Sequence, residues 1–262
     1  MRAGSASETA RRVAAHRLSF RRMPFESGRP DDDDRLQADV AASVSVAPDS
    51  LMTRYLAART AFVDRAVVGW LSHGGAQLVS VGAGYDGRAL RYATPTTRWF
   101  ELDHPDTQAD KTARLRRLAI DASAIAFVPA DFADDDVAAA LDQAGHGAST
   151  PTLYTCEGVA GYLSPDVLTS LLRSLASRAA TGSRLAITLH VDAETAQQHD
   201  ARARLAAAVG AMGEPLTSSI PRAQLRPFLL DTGWRAERAV DPTGVDVDTS
   251  ERASAFVVAV VE

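Results

Sequence analysis

The sequence predicts an α/β fold built on a doubly wound sheet of seven strands, with a helical cap at the N-terminus. Five short apolar runs from residue 77 onward are typical of buried parallel strands. They are QLVSV, TRWFEL, IAFVPA, TLYTC and RLAITL. Helical patterns separate them, and parallel strands need such crossovers. A strand after Gly233 followed by the closing run SAFVVAVV predicts an antiparallel hairpin at one edge.

Three helical patterns lie between the first five strands: PDTQADKTARLRRLA, DDDVAAALDQAG and SPDVLTSLLRSLASRAATG. The third has the strongest boundary signals. Ser164 is placed to cap it, Pro165 suits the first helical position, and Gly182 follows its expected end.

The pattern of the first 75 residues predicts a helical cap or lid, and residues 76–262 are predicted to form the core. Ser7 to Phe20 and Leu51 to Leu71 have helical patterns, and the acidic, turn-rich stretch between them is expected to be a loop. Asp31 to Asp34 are four adjacent like charges, which converge on one metal ion only in an unusual loop, so we interpret them as solvated and expect no metal site. Residues 193–225 are predicted to form a second lid element, inserted within the core.

Composition excludes several classes of protein. The 262 residues are 46% hydrophobic with a net charge of −5, which disfavours binding to a polyanion such as nucleic acid. Cys156 is the single cysteine and falls inside a buried strand, so no disulfide forms within the chain. No apolar run reaches the length of a membrane span. We therefore expect a soluble, cytoplasmic protein that does not bind membranes.

The stretch GAGYDG at residues 82–87 follows the first strand and formally matches G-x-G-x-x-G. In a doubly wound sheet the ligand lies beyond the carboxyl ends of the strands, and acidic residues end the next three strands along the chain. They are Glu101, Asp103, Asp131 and Glu157. Carboxylates after the second strand suit a ribose diol, and Asp131 suits an exocyclic amine such as that of adenine. An adenosine-containing ligand is therefore expected.

Charge then separates two adenosine cofactors. A nicotinamide dinucleotide would bring a doubly anionic pyrophosphate into an acidic rim. S-adenosylmethionine instead brings a sulfonium and an ammonium, together with one carboxylate that suits an arginine. The acidic strand ends favour S-adenosylmethionine.

Several motifs together resemble the leucine carboxyl methyltransferase family. They are LVSVGAGYDGRALRY, WFELDHPDTQADKTARL, FVPADF and TLYTCEGVAGYLSPDVLTSLL, with GEPLTSSIPRAQLRPFLLDTGW near the end. The resemblance spans roughly residues 7–260, and its bacterial branch is similar to polyketide O-methyltransferases of the tetracenomycin type. It implies a Rossmann-like methyltransferase sheet, S-adenosylmethionine as cofactor and O-methylation of a hydroxyl or carboxyl on a small metabolite.

The resemblance also implies residue roles. Arg59 matches the partner of the methionine carboxylate, and Glu157 the residue facing the ammonium end. The turn beneath the methionine is matched by Gly82, Ala83 and Gly84. Asp103 matches the carboxylate that binds the ribose, with Glu101 close by. Asp131 and Phe132 match the pair at the adenine.

Departures from the family pattern indicate what differs. Gly87 stands where threonine is usual, which produces the dinucleotide-like match by accident. Ala160 and Gly161 replace bulkier residues and predict a roomier pocket. Members that methylate protein phosphatase carry an N-terminal lysine, whereas the first lysine here is Lys111. Carboxyl methylation of a protein terminus is therefore the less favoured alternative, with a nicotinamide oxidoreductase behind it.

A carboxylate acceptor needs no base, whereas a hydroxyl acceptor benefits from one. His190 and Asp192 follow the fifth strand on the substrate side, and His190 is the candidate base, although a structural histidine at a strand end would look the same. Tyr162 and Phe20 are candidates for the acceptor pocket, with Met23 and Phe25 as further apolar contacts. His104 before a helix-starting proline and Trp234 at the edge hairpin are interpreted as structural. The acceptor and the oligomeric state stay open.

Overall fold

A single mixed sheet of seven strands organises the molecule, and the prediction of a doubly wound α/β fold is confirmed. The computed structural model describes residues 6–192 and 214–262, together with residues 200, 203, 206, 207 and 210. The strands are β1 (Gln77–Val81), β2 (Arg98–Asp103), β3 (Ile125–Pro129), β4 (Thr152–Cys156), β5 (Arg184–His190), β6 (Trp234–Val240) and β7 (Ser254–Val261). Their order is β3-β2-β1-β4-β5-β7-β6.

The first five strands pair in parallel, as their apolar character predicts. β7 runs antiparallel to both β5 and β6, so the expected edge hairpin of β6 and β7 forms. β7 lies between β5 and β6, and β6 is the edge strand. The strand order reverses between β1 and β4, where β1 continues outward to β2 and β3. A crevice at this reversal is the usual ligand site of such a sheet.

Helices cover both faces of the sheet. In the described residues they are α1 (Glu8–Arg17), α2 (Pro30–Ala41), α3 (Leu51–Ser72), α4 (Arg88–Arg91), α5 (Pro105–Arg117), α6 (Val137–Gln143), α7 (Pro165–Ser177) and α8 (Leu225–Asp231). None of these helices is long and apolar enough to cross a membrane. α3 packs directly on the sheet, where the rings of Phe62 and Phe256 lie 5.4 Å apart. The division into a cap and a core stays a prediction.

The expectation of a solvated loop at Asp31 to Asp34 is wrong. These residues form the first turn of α2, with Pro30 at its start. Acidic side chains in a first turn are stabilised by the helix dipole, and proline suits that position, so the same residues are a helix-start signal. Asp33 is fully buried and pairs with Arg22 and Arg91.

α7 begins as predicted and ends earlier than predicted. Ser164 caps it by accepting a hydrogen bond from the amide of Val167. The helix ends at Ser177, two residues after Leu175, the last of its buried leucines. Gly182 instead lies at φ +90° in the turn before β5.

Two of the interpretations of core residues are confirmed. Cys156 is fully buried in β4, and burial raises the pKa of its thiol to about 12. Trp234 is fully buried at the start of β6, where its Nε1 donates to the carbonyl of Leu172 at 3.0 Å. Both residues belong to the buried core, and neither lines a cavity described below.

Candidate functional site

A cavity of about 510 Å³ lies at the carboxyl ends of β1, β2 and β4. It brings together most of the residues that the sequence placed at a cofactor site. They are Arg59, Gly82, Ala83, Gly84, Asp103, Asp131, Phe132 and Glu157. α1 forms the opposite wall through Ser7, Thr9, Ala10, Val13 and Arg17. The first helix of the chain therefore covers the crevice.

The glycine turn after β1 needs glycine at two positions. Gly82 and Gly84 have φ angles of +63° and +50°, a region that side chains rarely occupy. A Cβ on Gly82 would also collide with the side chain of Val159. The backbone at this turn can consequently approach a ligand closely.

Gly87, the third glycine of the apparent fingerprint, has a different role. Its φ of −101° is open to any residue. A Cβ there would collide with the carboxylate of Asp33 from α2. Gly87 is therefore required by helix packing, so the match to a dinucleotide fingerprint carries no information about phosphate binding.

Asp103 stands at the end of β2 with its carboxylate already oriented. It accepts hydrogen bonds from the amide of Gly84 and from that of His104, the latter at 2.7 Å. Burial raises its pKa above the usual range. A carboxylate fixed in this way retains lone pairs for two further donors, such as those of a ribose diol.

His104 caps α5, as its position before Pro105 indicates. Its Nδ1 accepts from the amide of Asp106 at 3.2 Å. Its Nε2 lies 3.5 Å from Oδ2 of Asp131, and both residues line the cavity. The histidine thus connects the predicted ribose and adenine ends of the site.

Glu101 does not line the cavity. Its carboxylate is 2% exposed and lies 2.5 Å from Nζ of Lys111 on α5, which also donates to the carbonyl of Asp86. Burial raises the pKa of Glu101 to about 7, despite the neighbouring ammonium. Glu101 precedes Asp103 by two residues on β2, so it lies about 6–7 Å further along the strand from the cavity. That distance places Glu101 beneath the glycine turn.

Glu157 is the centre of a buried cluster of charges. Its carboxylate lies 2.9 Å from Nε of Arg59, 2.6 Å from Nη1 of Arg88 and 3.5 Å from Nη2 of Arg17. These guanidinium groups hold the pKa of Glu157 well below its usual range. Glu157 therefore orients Arg59 towards the cavity as well as lining it.

The same arginines continue into what we call the buried ion-pair network, which joins α1, α2, α3 and the glycine turn. Its four arginines and four carboxylates are Arg17, Arg22, Arg59, Arg88, Asp33, Asp64, Asp86 and Glu157. Each of these side chains is at most 10% exposed. These eight side chains carry opposite charges in equal number, and Arg91 at the edge of the network pairs with both Asp33 and the exposed Asp34. Sequence reasoning gave a site role only to Arg59 and Glu157, although Asp86 and Arg88 lie within the motif LVSVGAGYDGRALRY.

A second cavity of about 380 Å³ adjoins the first. Five residues line both: Thr9, Val13, Arg59, Gly158 and Tyr162. The second cavity also contains His190, at the end of β5, and His16, at the end of α1. His190 and Tyr162 are therefore placed together, as the sequence suggested, and His16 joins them without having been predicted.

Gly161 does not make the second cavity larger, contrary to expectation. A Cβ on Gly161 would lie 2.7 Å from Cδ2 of His190, so the missing side chain accommodates the imidazole. Ala160 is 1% exposed and belongs to the core. Gly161 therefore makes room for a ring, and Ala160 fills the core.

Phe20 lines neither cavity, so its assignment to the acceptor pocket is not supported by its position. Met23 and Phe25 pack against the core, and the ring of Phe25 meets Tyr92 edge-on at 6.0 Å. The three residues lie beyond the end of α1, whose own residues, up to Arg17, line the cavities. Asp192 accepts a hydrogen bond from Ser219 at 2.5 Å.

The predicted lid at 193–225 falls largely outside the described residues, but its later part reaches the site. Glu214 accepts hydrogen bonds from Oγ of Ser7 and from the amide of Glu8, both at 3.0 Å. Glu214 and Pro215 line the first cavity and Leu216 the second. This segment therefore holds the start of α1 in place over the crevice.

Comparisons with known proteins agree with this geometry. Residues 13–176 match the model of the leucine carboxyl methyltransferase family. A protein of Mycobacterium sp. (strain KMS), provisionally named an S-adenosyl-L-methionine-dependent methyltransferase, is 32% identical over 192 residues, covering 70% of this chain and 62% of its own. A protein of Frankia alni with a similar name is 34% identical over 181 residues, covering 68% and 61%.

The chain thus spans about six tenths of the length of these relatives. Among solved structures, a provisionally named methyltransferase from Thermobifida fusca YX shares the fold, with a TM-score of 0.62 at 18% identity over 100% of this chain and 97% of its own. The motifs at the strand ends, the sheet order and the match over residues 13–176 lead to one conclusion: the chain belongs to the leucine carboxyl methyltransferase family.

Proposed function

We propose that this protein is an S-adenosylmethionine-dependent O-methyltransferase that acts on a hydroxyl or carboxyl group of a small metabolite. One observation carries the choice of cofactor. Among the described residues, the first cavity is lined by four carboxylates and two guanidinium groups. They are Asp103, Asp131, Glu157 and Glu214, with Arg17 and Arg59. Both arginines already pair with Glu157, so the cavity is acidic overall.

Such a cavity suits a ligand that carries a sulfonium, an ammonium and one carboxylate. The carboxylate would lie beside Arg59, whose guanidinium Glu157 orients. The ribose would bond to Asp103, and the adenine would lie between Asp131 and Phe132. When bound, S-adenosylmethionine supplies an electrophilic methyl group; the residues of this chain would hold it in line with the acceptor and exclude water.

Two alternatives are less well supported. A nicotinamide oxidoreductase would place a pyrophosphate against this acidic lining, and Gly87 serves helix packing. Methylation of a protein terminus needs an open approach, whereas the second cavity is bounded by α1, α3 and β5 and has the volume of a small-molecule site. We also propose that the protein works in the cytoplasm, since its single cysteine is a buried core residue.

Calorimetric titration tests the choice of cofactor. We expect heat of binding with S-adenosylmethionine and S-adenosylhomocysteine, and none with NAD or NADP at the same concentrations. Tight NAD binding without a response to either methionine-derived ligand would overturn the proposal. Incubation of cell extract with the enzyme and isotopically labelled methyl donor, followed by mass spectrometry, would then identify the acceptor.

A further inference from the structure

His16 lies in the last turn of α1 and faces the second cavity. It is only 8% exposed, and no motif in the sequence singles it out. The cavity it faces shares Arg59, Gly158 and Tyr162 with the predicted cofactor site. An acceptor in the second cavity would therefore meet His16 on one side and the methyl donor on another.

Thr53, on α3, fixes which nitrogen of His16 carries the proton. Nδ1 of His16 lies 2.8 Å from Oγ1 of Thr53, and that hydroxyl donates to the carbonyl of Ala47 at 2.7 Å. A threonine hydroxyl has one hydrogen, and a carbonyl can only accept. Because the Thr53 hydrogen is committed to Ala47, Nδ1 of His16 must be the donor.

The other nitrogen, Nε2, is then a lone-pair acceptor. None of the described residues forms a hydrogen bond with Nε2, and this atom is not among the fully buried polar atoms that lack a partner. Ser50 supports the arrangement, since its hydroxyl lies 3.0 Å from that of Thr53. Burial and the charge of Arg12 lower the pKa of His16, which keeps its imidazole neutral at pH 7.

We propose that His16 is the general base of this enzyme and that the acceptor is a hydroxyl compound, such as a phenol or enol. This inference rests on the proposed function. Nε2 would take the proton as the acceptor oxygen forms its bond to the methyl carbon. The donor sulfonium would keep the electron pair of the broken carbon–sulfur bond and would lose its positive charge. The proton leaves the imidazolium for solvent after the product has gone. Thr53 acts as a positioning residue.

This assignment replaces His190 as the base. Both histidines line the second cavity, and the tautomer of His16 is fixed by a donor chain that ends at the carbonyl of Ala47. A carboxylate acceptor would need no such base. The arrangement around His16 therefore favours the hydroxyl class.

The first test is spectroscopic and needs no acceptor. Long-range ¹⁵N–¹H NMR on ¹⁵N-histidine-labelled protein should show His16 as the neutral Nδ1–H tautomer at pH 7. Thr53→Val keeps the shape of that side chain and should abolish the fixed tautomer. An Nε2–H tautomer, or a charged ring, in the unsubstituted protein would overturn the proposal.

The second test uses 4-fluorophenol as a hydrogen-bond donor and fluorobenzene as its matched control, both followed by ¹⁹F NMR without cofactor. We expect 4-fluorophenol to bind about three- to tenfold more tightly, the scale of one hydrogen bond. His16→Phe should reduce that ratio to about one, whereas the exposed-site variant His73→Gln should preserve it. No preference for the phenol, or a preference lost in His190→Gln and kept in His16→Phe, would overturn the proposal. S-adenosylhomocysteine binding, measured separately by calorimetry, reports failure of the proposed function independently.

Discussion

Nε of Arg59 lies 2.9 Å from Oε1 of Glu157, and this ion pair stands where the two cavities meet. Arg59 comes from the middle of α3 and Glu157 from the end of β4, so the pair joins the helical layer to the sheet. Gly158 allows it, because a Cβ there would crowd the guanidinium group, whose Nη1 would lie 2.6 Å away. The orientation of Arg59 is therefore set before any ligand arrives.

Arg59→Ala should weaken binding of S-adenosylmethionine about 10- to 100-fold. The lost charge-assisted bond to the carboxylate corresponds to about 1.5–3 kcal/mol. The melting temperature should fall as well, because Glu157 would lose one of the three arginines that pair with it in the described residues. Calorimetry and thermal unfolding measure the two effects. Arg65→Ala, at an exposed position of the same helix, is the matched control and should change neither. An unchanged dissociation constant would show that Arg59 does not bind the cofactor.

Asp103→Asn should weaken S-adenosylmethionine and S-adenosylhomocysteine by a similar factor. An amide keeps the shape, but one of its faces offers donors where both the ribose and a backbone amide also donate. The loss should be about 1.5–3 kcal/mol in affinity. A smaller loss of stability should accompany it, since Asp103 also holds Gly84 and His104. Calorimetry with Asp134→Asn as the control checks this. Reduced stability with unaltered affinity would make Asp103 purely structural.

Gly87→Ala should lower the melting temperature and leave cofactor affinity largely intact. The new Cβ would push against the carboxylate of Asp33 and displace α2, whereas Gly87 itself lies outside the cavity lining. Gly69→Ala is the control, because a Cβ there meets nothing within 4 Å in the interior of α3. That change should stabilise the protein by roughly 0.5–1 kcal/mol. Equal effects of the two substitutions on thermal unfolding would contradict this account of Gly87.

Glu101→Gln should remove a pH dependence of stability. The pKa of Glu101 rises on folding from 4.5 to about 7, so the folded protein binds more protons in this range. Its contribution to the free energy of unfolding is present below pH 4.5 and is lost as pH rises through 7. Relative to the variant, the unsubstituted protein should lose about 2–3 kcal/mol between pH 5 and 8. Urea unfolding at several pH values measures the difference. Parallel curves would show that Glu101 stays ionised beside Lys111.

The sheet was predictable because each strand shows its own local pattern. Apolar runs with crossovers between them imply parallel pairing, and Gly82 and Gly84 mark the turn by their spacing after β1. The strand-end carboxylates Asp103 and Asp131 followed from the same rule. These features depend on neighbours in the sequence, which is why reading along the chain recovers them.

The rest of the site depends on residues that are distant in the chain. His16 and Thr53 are 37 positions apart, and Glu214 and Ser7 are 207 apart. Nothing near His16 distinguishes it from a surface histidine, and a run of aspartates gives the same pattern whether it is solvated or, as at Asp33, enclosed by arginines. The motif LVSVGAGYDGRALRY contains an ion pair of the network, Asp86 with Arg88, and is a sequence signal that could have indicated it.

The equal numbers of arginines and carboxylates in the buried ion-pair network constrain how this protein can diverge. Removing one member leaves an opposite charge uncompensated in the interior, a change that typically costs about 3–5 kcal/mol, whereas exchanging both partners of a pair for apolar residues is often neutral. Accepted changes at these positions should therefore occur two at a time, as covarying pairs among close relatives. A designer who transplants the first cavity into another chain would have to carry all eight side chains across as one unit.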